Sequence, residues 1–241
     1  MAARAHAHGR LLGPTGTVDG MTDASDPHAV RAAYDAVAVD YAELLRDELA
    51  AKPFDRALLG AFAELVLSGS AGPVADVGCG PGRVTAYLHG LGVETFGIDL
   101  SPAMVAVARL AHPDLRFEVG TMTALNLADG ALGGILAWYS IIHTPPEHLP
   151  GVFAEFHRAL GAGGYLLLAF QVGDHCVHLE HAYGHTVSLD AYRRSPERIA
   201  ELLTHAGFDV VARLVREPDP AEKTPQANIV ARKPGRGHET A

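Results

Sequence analysis

An α/β fold built on a parallel sheet is the class this sequence predicts, and three observations carry it. Short apolar runs alternate with helix-compatible segments from position 74 to position 171, the pattern of strand–helix–strand units. A glycine-rich loop follows the first of those runs, Val-Gly-Cys-Gly-Pro-Gly at 77–82. The chain has 241 residues, of which 48% are hydrophobic, which suits one α/β domain with extensions.

The elements read in order as follows. Asp26-Pro27 opens a helix to about Val37, with the acid as N-cap and proline at the first position. A second helix is expected from Asp40 to Ala51 and a third from Phe54 to Leu67, stopped by Ser-Gly-Ser-Ala-Gly. The first strand is Val74 to Val77, and a helix runs from Arg83 to His89. The second strand is Glu94 to Ile98, and Ser101-Pro102 caps a helix to Ala111. The third strand is Leu115 to Val119 and the fourth Gly134 to Trp138. A helix from Pro146 to Leu160 is closed by Gly161-Ala-Gly-Gly, and the fifth strand is Tyr165 to Phe170. Ser195-Pro196-Glu197 starts a helix ending at Ala206-Gly207. Phe208 to Arg216 and Ala227 to Arg232 are β-compatible. No internal repeat is visible.

Composition narrows the function classes. The formal charge is −9 and no basic patch stands out, which argues against a nucleic-acid partner because phosphate neutralisation dominates such affinity. No stretch approaches the apolar length of a membrane span. The two cysteines, Cys79 and Cys176, suggest no disulfide framework and suit a reducing cytosol. Residues 1–24 show little periodicity and no secretory core, and Met21 resembles an alternative start. They are expected to be a disordered extension, with the domain over 25–233 and a flexible tail over 234–241.

The glycine loop discriminates between nucleotides. A dinucleotide fingerprint, G-x-G-x-x-G, needs its third glycine at position 83, which is Arg83. The spacing here is G-x-G-x-G. Asp76, at the loop edge, would repel a pyrophosphate and attract a cation. S-adenosylmethionine (SAM) carries a sulfonium and an ammonium group and suits such an acid. On these residues the chain resembles a class I SAM-dependent methyltransferase of the small-molecule type, over roughly residues 30–233. An NAD(P)-dependent oxidoreductase and a non-catalytic SAM-binding subunit are the rival readings.

The resemblance implies a Rossmann-like, doubly wound sheet of seven strands in the order 3-2-1-4-5-7-6, with one antiparallel strand and an N-terminal helical lid over 25–70. It implies SAM as cofactor, a small-molecule methyl acceptor, and a cytoplasmic monomer or homodimer. Gly78, Cys79, Gly80 and Arg83 form the cofactor loop with Asp76. Asp99 ends the second strand about twenty residues beyond that loop, where an acid meets ribose hydroxyls; the plainer reading is a helix N-terminal acid. Leu100 either covers an adenine face or packs in the core. Thr121 and Met122 follow the third strand, where relatives hold adenine; Thr121 stands where an acid is common, and both have structural readings too. Tyr139 and His143 follow the fourth strand, facing the transferred methyl. His143 is a candidate base or a packed loop residue. Tyr34 and Tyr41 sit in a Tyr-Asp-x-x-A-like segment used by ubiquinone-type relatives as a lid, where an aromatic ring over a sulfonium gains about 0.5–2 kcal/mol; hydrophobic docking is the alternative. His175, His178, His181 and His185 are spaced to share one helical face, but match no established metal motif. No metal is expected, and 171–195 is read as a substrate cap with Gln171 on the pocket wall.

Overall fold

The computed structural model describes residues 26–69 and 72–235. The expectations for the 1–24 extension and for the end of the tail fall outside them.

Seven strands form one sheet: β1 (Val74–Val77), β2 (Thr95–Asp99), β3 (Phe117–Val119), β4 (Leu132–Trp138), β5 (Leu160–Gln171), β8 (Asp209–Arg216) and β9 (Gln226–Arg232). Their order is β3-β2-β1-β4-β5-β9-β8. Counted within this sheet, that is the expected 3-2-1-4-5-7-6. β9 runs antiparallel to both neighbours, and the other pairings are parallel. The helices are α1 (Pro27–Leu45), α2 (Pro53–Gly69), α3 (Arg83–Gly90), α4 (Pro102–Ala111), α5 (Leu149–Ala159) and α6 (Pro196–His205). Residues 176–182 (β6) and 185–192 (β7) form a separate antiparallel hairpin.

The sheet is wound on both faces because alternate residues of its buried strands point to opposite sides. Ala75, Ile135, Leu166 and Ile229 pack with Phe153 and Phe156 of α5 and Leu203 of α6. Val74, Leu136, Leu167 and Val230 pack with Leu59 and Phe62 of α2 and Leu88 of α3. The strand order reverses between β1 and β4, so a crevice opens at their carboxyl ends, where ligands bind in such folds.

Three boundaries differ from the sequence reading. The two expected N-terminal helices are one continuous α1, followed by a 3₁₀ turn over Glu48–Ala51. Nothing between Val37 and Asp40 breaks a helix, and Val37 and Ala38 are buried against Met104 of α4. The helix expected from Pro146 starts as a 3₁₀ turn, Pro146–His148, before α5, because Pro150 sits in the first turn of α5 and donates no backbone hydrogen bond. The Gly161-Ala-Gly-Gly run belongs to β5, where a register shift between Leu132 and Gly134 absorbs it.

Beneath the β8–β9 corner lies a partly buried ionic network. Lys52 donates to Asp219 at 2.5 Å and Glu222 at 2.6 Å, and Arg216 donates to both oxygens of Glu222. It ties the start of α2 to the loop between β8 and β9. Arg216 and Lys52 hold the Glu222 carboxyl down at about 2 against the opposing effect of burial, which is the largest single influence on it.

Candidate functional site

One cavity of about 960 Å³, its mouth included, opens over the carboxyl ends of β1, β2, β3 and β4. The strand ends supply most of its wall: Val77, Gly78 and Gly80 after β1, Asp99 and Leu100 after β2, Gly120 to Thr123 after β3, and Trp138 to Ser140 after β4. Tyr34 and Tyr41 of α1 close it from above, and His143 to Pro145 complete the far end.

The β1 loop is shaped by backbone geometry. Gly78, Gly80 and Gly82 all have positive φ, at 79°, 53° and 81°. A Cβ on Gly78 would lie 2.2 Å from Cβ of Ser140. Ser140 is held there because its hydroxyl donates to the Val77 carbonyl at 2.7 Å. The β1 and β4 loops are therefore in contact through backbone and one small side chain. Gly80 differs: a Cβ added there would meet only Tyr41, at an ordinary 3.7 Å.

Asp99 anchors the second loop. Its Oδ2 accepts from the Gly80 amide at 2.7 Å and its Oδ1 from the Ser101 amide at 2.8 Å. Burial raises its pKa, opposed by these two hydrogen bonds. A carboxylate has about four lone-pair sites, so beyond the Ser101, Gly80 and Leu100 amides one remains for a hydroxyl donor. Asp35 of α1 reaches the same corner, accepting from the Ser101 hydroxyl at 2.6 Å and the Ala103 amide at 3.1 Å. The lid helix is thus bonded to the N-terminus of α4.

At the other end, Tyr139 adopts a left-handed φ of 55°, which is uncommon for a bulky residue and concentrates at functional sites. His143 is buried. The Tyr34 hydroxyl lies 2.7 Å from its Nε2, and the Asp190 carbonyl lies 2.6 Å from its Nδ1. Burial depresses the imidazole pKa to about 4 and pushes the Tyr34 phenol well above its usual value.

The cavity gathers Tyr34, Tyr41, Gly78, Gly80, Asp99, Leu100, Thr121, Met122, Tyr139 and His143. Three other expected site residues lie behind its wall. Asp76 is buried and accepts from the Thr85 hydroxyl at 2.6 Å, with its second oxygen unpaired. Desolvation lifts its pKa to about 7. The Cys79 side chain packs with Val105, Ala108 and Phe117. Arg83 pairs with Glu48 at 2.6 Å. Alternation along β1 turns Asp76 away from the crevice, and the tight turn sends Cys79 inward. Gln171 ends β5 opposite Gln226, away from the cavity. Of the histidines expected on one helical face, His178, His181 and His185 instead lie in the hairpin and His175 just before it. His178 pairs with Asp190 and His185 with Asp40, and among the described residues no three potential ligands converge.

Asp35, Trp138, Ser140 and Thr144 were not singled out by sequence reasoning. Ser140 had a local signal, its place two residues after a fully buried strand; Asp35 is the acid of the Tyr-Asp-x-x-A-like segment, but its partners lie 66 and 68 residues away.

Comparison with known proteins agrees with this architecture. Residues 74–164 match a family model described as a methyltransferase domain. The trans-aconitate 2-methyltransferases of Escherichia coli O157:H7 and Shigella flexneri are each 34% identical over 143 residues, 58% of this chain and 54% of theirs. The chain therefore spans about half the length of the curated relatives it matches. A SAM-dependent methyltransferase from Methanosarcina mazei superposes with a TM-score of 0.62 at 18% identity, over 69% of this chain and 94% of its own. The Burkholderia thailandensis 1,6-didemethyltoxoflavin-N1-methyltransferase, solved with that compound and S-adenosylhomocysteine, superposes with a TM-score of 0.63 at 22% identity, over 90% and 93%. The family match places a methyltransferase domain over residues 74–164, and the fold around it is the one shared by these solved SAM-dependent methyltransferases. SAM is the cofactor of that class. No described helix is long and apolar enough to cross a membrane.

Proposed function

We propose that this chain transfers the methyl group of SAM to a small-molecule acceptor and releases S-adenosylhomocysteine (SAH). The observation that carries the reading is a single cavity whose wall joins the glycine loop and Asp99 to Trp138, Tyr139 and His143. The residues present fit the cofactor. The side-chain-free turn at Gly78 leaves backbone facing the crevice, and Asp99 keeps acceptor capacity for a ribose hydroxyl. In this reading Asp99 holds the ribose, Leu100 and Met122 flank the adenine, and the Thr121–Met122 segment meets its edge. Gly78 and Gly80 accommodate the methionine portion, and Tyr34 and Tyr41 cover the sulfonium. Asp76 ties β1 to α3 through Thr85 from behind the loop, Cys79 supports the turn from beneath, and Arg83 holds Glu48.

When bound, SAM supplies an already activated methyl group, so the protein's task is alignment and exclusion of water. Tyr34 and Tyr41 on α1 and the aromatic pair Trp138–Tyr139 serve both. The curated relatives carry trans-aconitate in their names, so incubation with that compound tests a carboxylate acceptor, whose product would be a methyl ester, against a hydroxyl acceptor.

Titration calorimetry with SAM, SAH and NAD tests the reading. SAM and SAH should bind and NAD should not. Asp99→Ala should weaken SAH binding by about 1.5–3 kcal/mol, as for a hydrogen bond to a charged group. A folded Asp99→Ala protein with unchanged SAH affinity would remove the ribose assignment. Trp138 is the chain's single tryptophan and lines the cavity, so its fluorescence gives an independent binding signal.

A further inference from the structure

We propose that Tyr34 is the catalytic group at the acceptor end of the cavity, that His143 acts only through it, and that the acceptor presents an O–H. This rests on the methyltransferase reading above and adds to it the residue that handles the proton.

The argument starts from the hydrogen bonds of His143. The Asp190 carbonyl can only accept, so at 2.6 Å it requires the ring proton on Nδ1. A neutral imidazole then has only a lone pair on Nε2, and the Tyr34 hydroxyl, 2.7 Å away, must donate to it. Both ring nitrogens are therefore engaged, and none is left to take a proton from an acceptor directly. The Tyr34 oxygen keeps its own lone pairs, and Tyr34 lines the cavity. Three elements assemble the chain of bonds: Tyr34 from α1, His143 from the turn after β4, and Asp190 from β7. The ring of Tyr34 is fixed by edge contacts with Tyr41 at 6.1 Å and with His143 at 5.3 Å between centroids. Tyr41 is braced in turn by Tyr183 of the hairpin tip, at 4.8 Å.

The chemistry selects the acceptor class. On transfer, the C–S bond of the cofactor breaks with its electron pair left on sulfur, and a lone pair of the acceptor oxygen forms the new O–C bond. The acceptor proton passes to the Tyr34 oxygen while the Tyr34 proton passes to Nε2 of His143. The imidazolium later returns its proton to solvent. A hydroxyl oxygen becomes strongly acidic as it gains the methyl, so even the weakly basic, buried His143 can receive the proton. Arg194, whose guanidinium donates to the Ile141 and Thr144 carbonyls, and Asp190 are the charged groups beside that imidazole. A carboxylate acceptor has no proton to lose and gives this relay nothing to do.

Two measurements test the proposal. In the SAH complex of ¹⁵N-histidine-labelled protein, His143 should carry its proton on Nδ1 at neutral pH, and Tyr34→Phe should shift the Nε2 resonance. A proton on Nε2, or an Nε2 signal indifferent to Tyr34→Phe, overturns the relay. With labelled SAM and extract of the source organism, Tyr34→Phe should slow methyl transfer by about 10²-fold or more, with SAH affinity held within about twofold. Tyr34→Phe/His143→Gln should be no slower than either single variant, since the two act as a unit. The labelled product should carry an O-methyl group; an N-, C- or S-methyl product, a methyl ester, or a Tyr34→Phe rate near wild type overturns the proposal. If wild type binds no SAH, the parent reading falls instead. If it binds SAH but labels nothing, the NMR result alone decides the relay.

Discussion

Gly78 and Gly80 reject side chains for different reasons, and the difference can be measured. At Gly78 both sterics and backbone act: the added Cβ would overlap Ser140 at 2.2 Å, and φ is 79°. At Gly80 only the left-handed φ of 53° acts, a cost of about 1–2 kcal/mol for an L-residue. Gly80→Ala should therefore lower unfolding stability by about that much, and Gly78→Ala by more. Removing the obstructing atom with Ser140→Gly should recover part of the Gly78→Ala loss but none of the Gly80→Ala loss. Chemical denaturation of the single and double variants beside wild type reads this directly; equal losses at the two glycines would show that the Ser140 contact is not what restricts Gly78. The need for glycine was legible in G-x-G-x-G. Which glycine is wedged against which residue was not, because Ser140 is 62 positions further along the chain than Gly78.

At the scale of elements, the docking of α1 decides whether the cavity has a roof. Asp35 joins it to α4 through Ser101 and Ala103; Ser101 at the same time caps α4 by accepting from the Met104 amide at 3.0 Å. Loss of such a capping acid costs about 0.5–2 kcal/mol. Asp35→Ala should lower stability by that order, speed amide exchange along α1, and weaken SAH binding, while exchange in β4 and β5 stays slow. Uniform loss of protection over the whole sheet would mean that α1 is part of the cooperative core rather than a separable lid. The β6–β7 hairpin packs against α1 without lining the cavity; it is turned by Tyr183 and Gly184, both at positive φ, as a two-residue turn of this kind requires. Its sequence is rich in histidine and was open to a helical reading, because imidazoles three and four apart suit a helix face. Cross-strand pairing of Val177 with Ala191 and Leu179 with Leu189 decided for strands.

For the whole molecule, buried titratable groups set the dependence of stability on pH. Asp76 and Asp55 have folded pKa values raised to about 7 and about 6, each mainly by desolvation. A raised carboxyl binds more protons in the folded state, so its contribution is favourable below the unfolded value and is lost as pH rises through the folded one. His143 runs the other way. Its folded value of about 4 lies below the unfolded one, so its contribution is lost as pH falls through the window between them. Stability should therefore decline between about pH 4 and 7, by up to about 1.4 kcal/mol per unit from Asp76, and level off above the folded value. Asp76→Asn should flatten that decline in urea titrations between pH 4.5 and 7; an unchanged slope would place the cause elsewhere.

The alternation of strands and helices, the glycine loop and Asp99 at the end of β2 could all be read from the chain, because each depends on neighbours within a few residues or on a period of 2 or 3.6. Resemblance added the strand order, which the structure reproduces. What the tertiary structure alone decided is how distant side chains are paired. The Tyr34–His143 contact spans 109 positions and the Lys52–Glu222 contact 170. Asp76, read as a cation-facing acid, is turned behind the wall by strand alternation, and a candidate base has both nitrogens occupied by groups from α1 and β7. Local pattern specifies elements because their hydrogen bonds are local; the protonation and reach of a site residue depend on desolvation and partners that exist only once those elements pack.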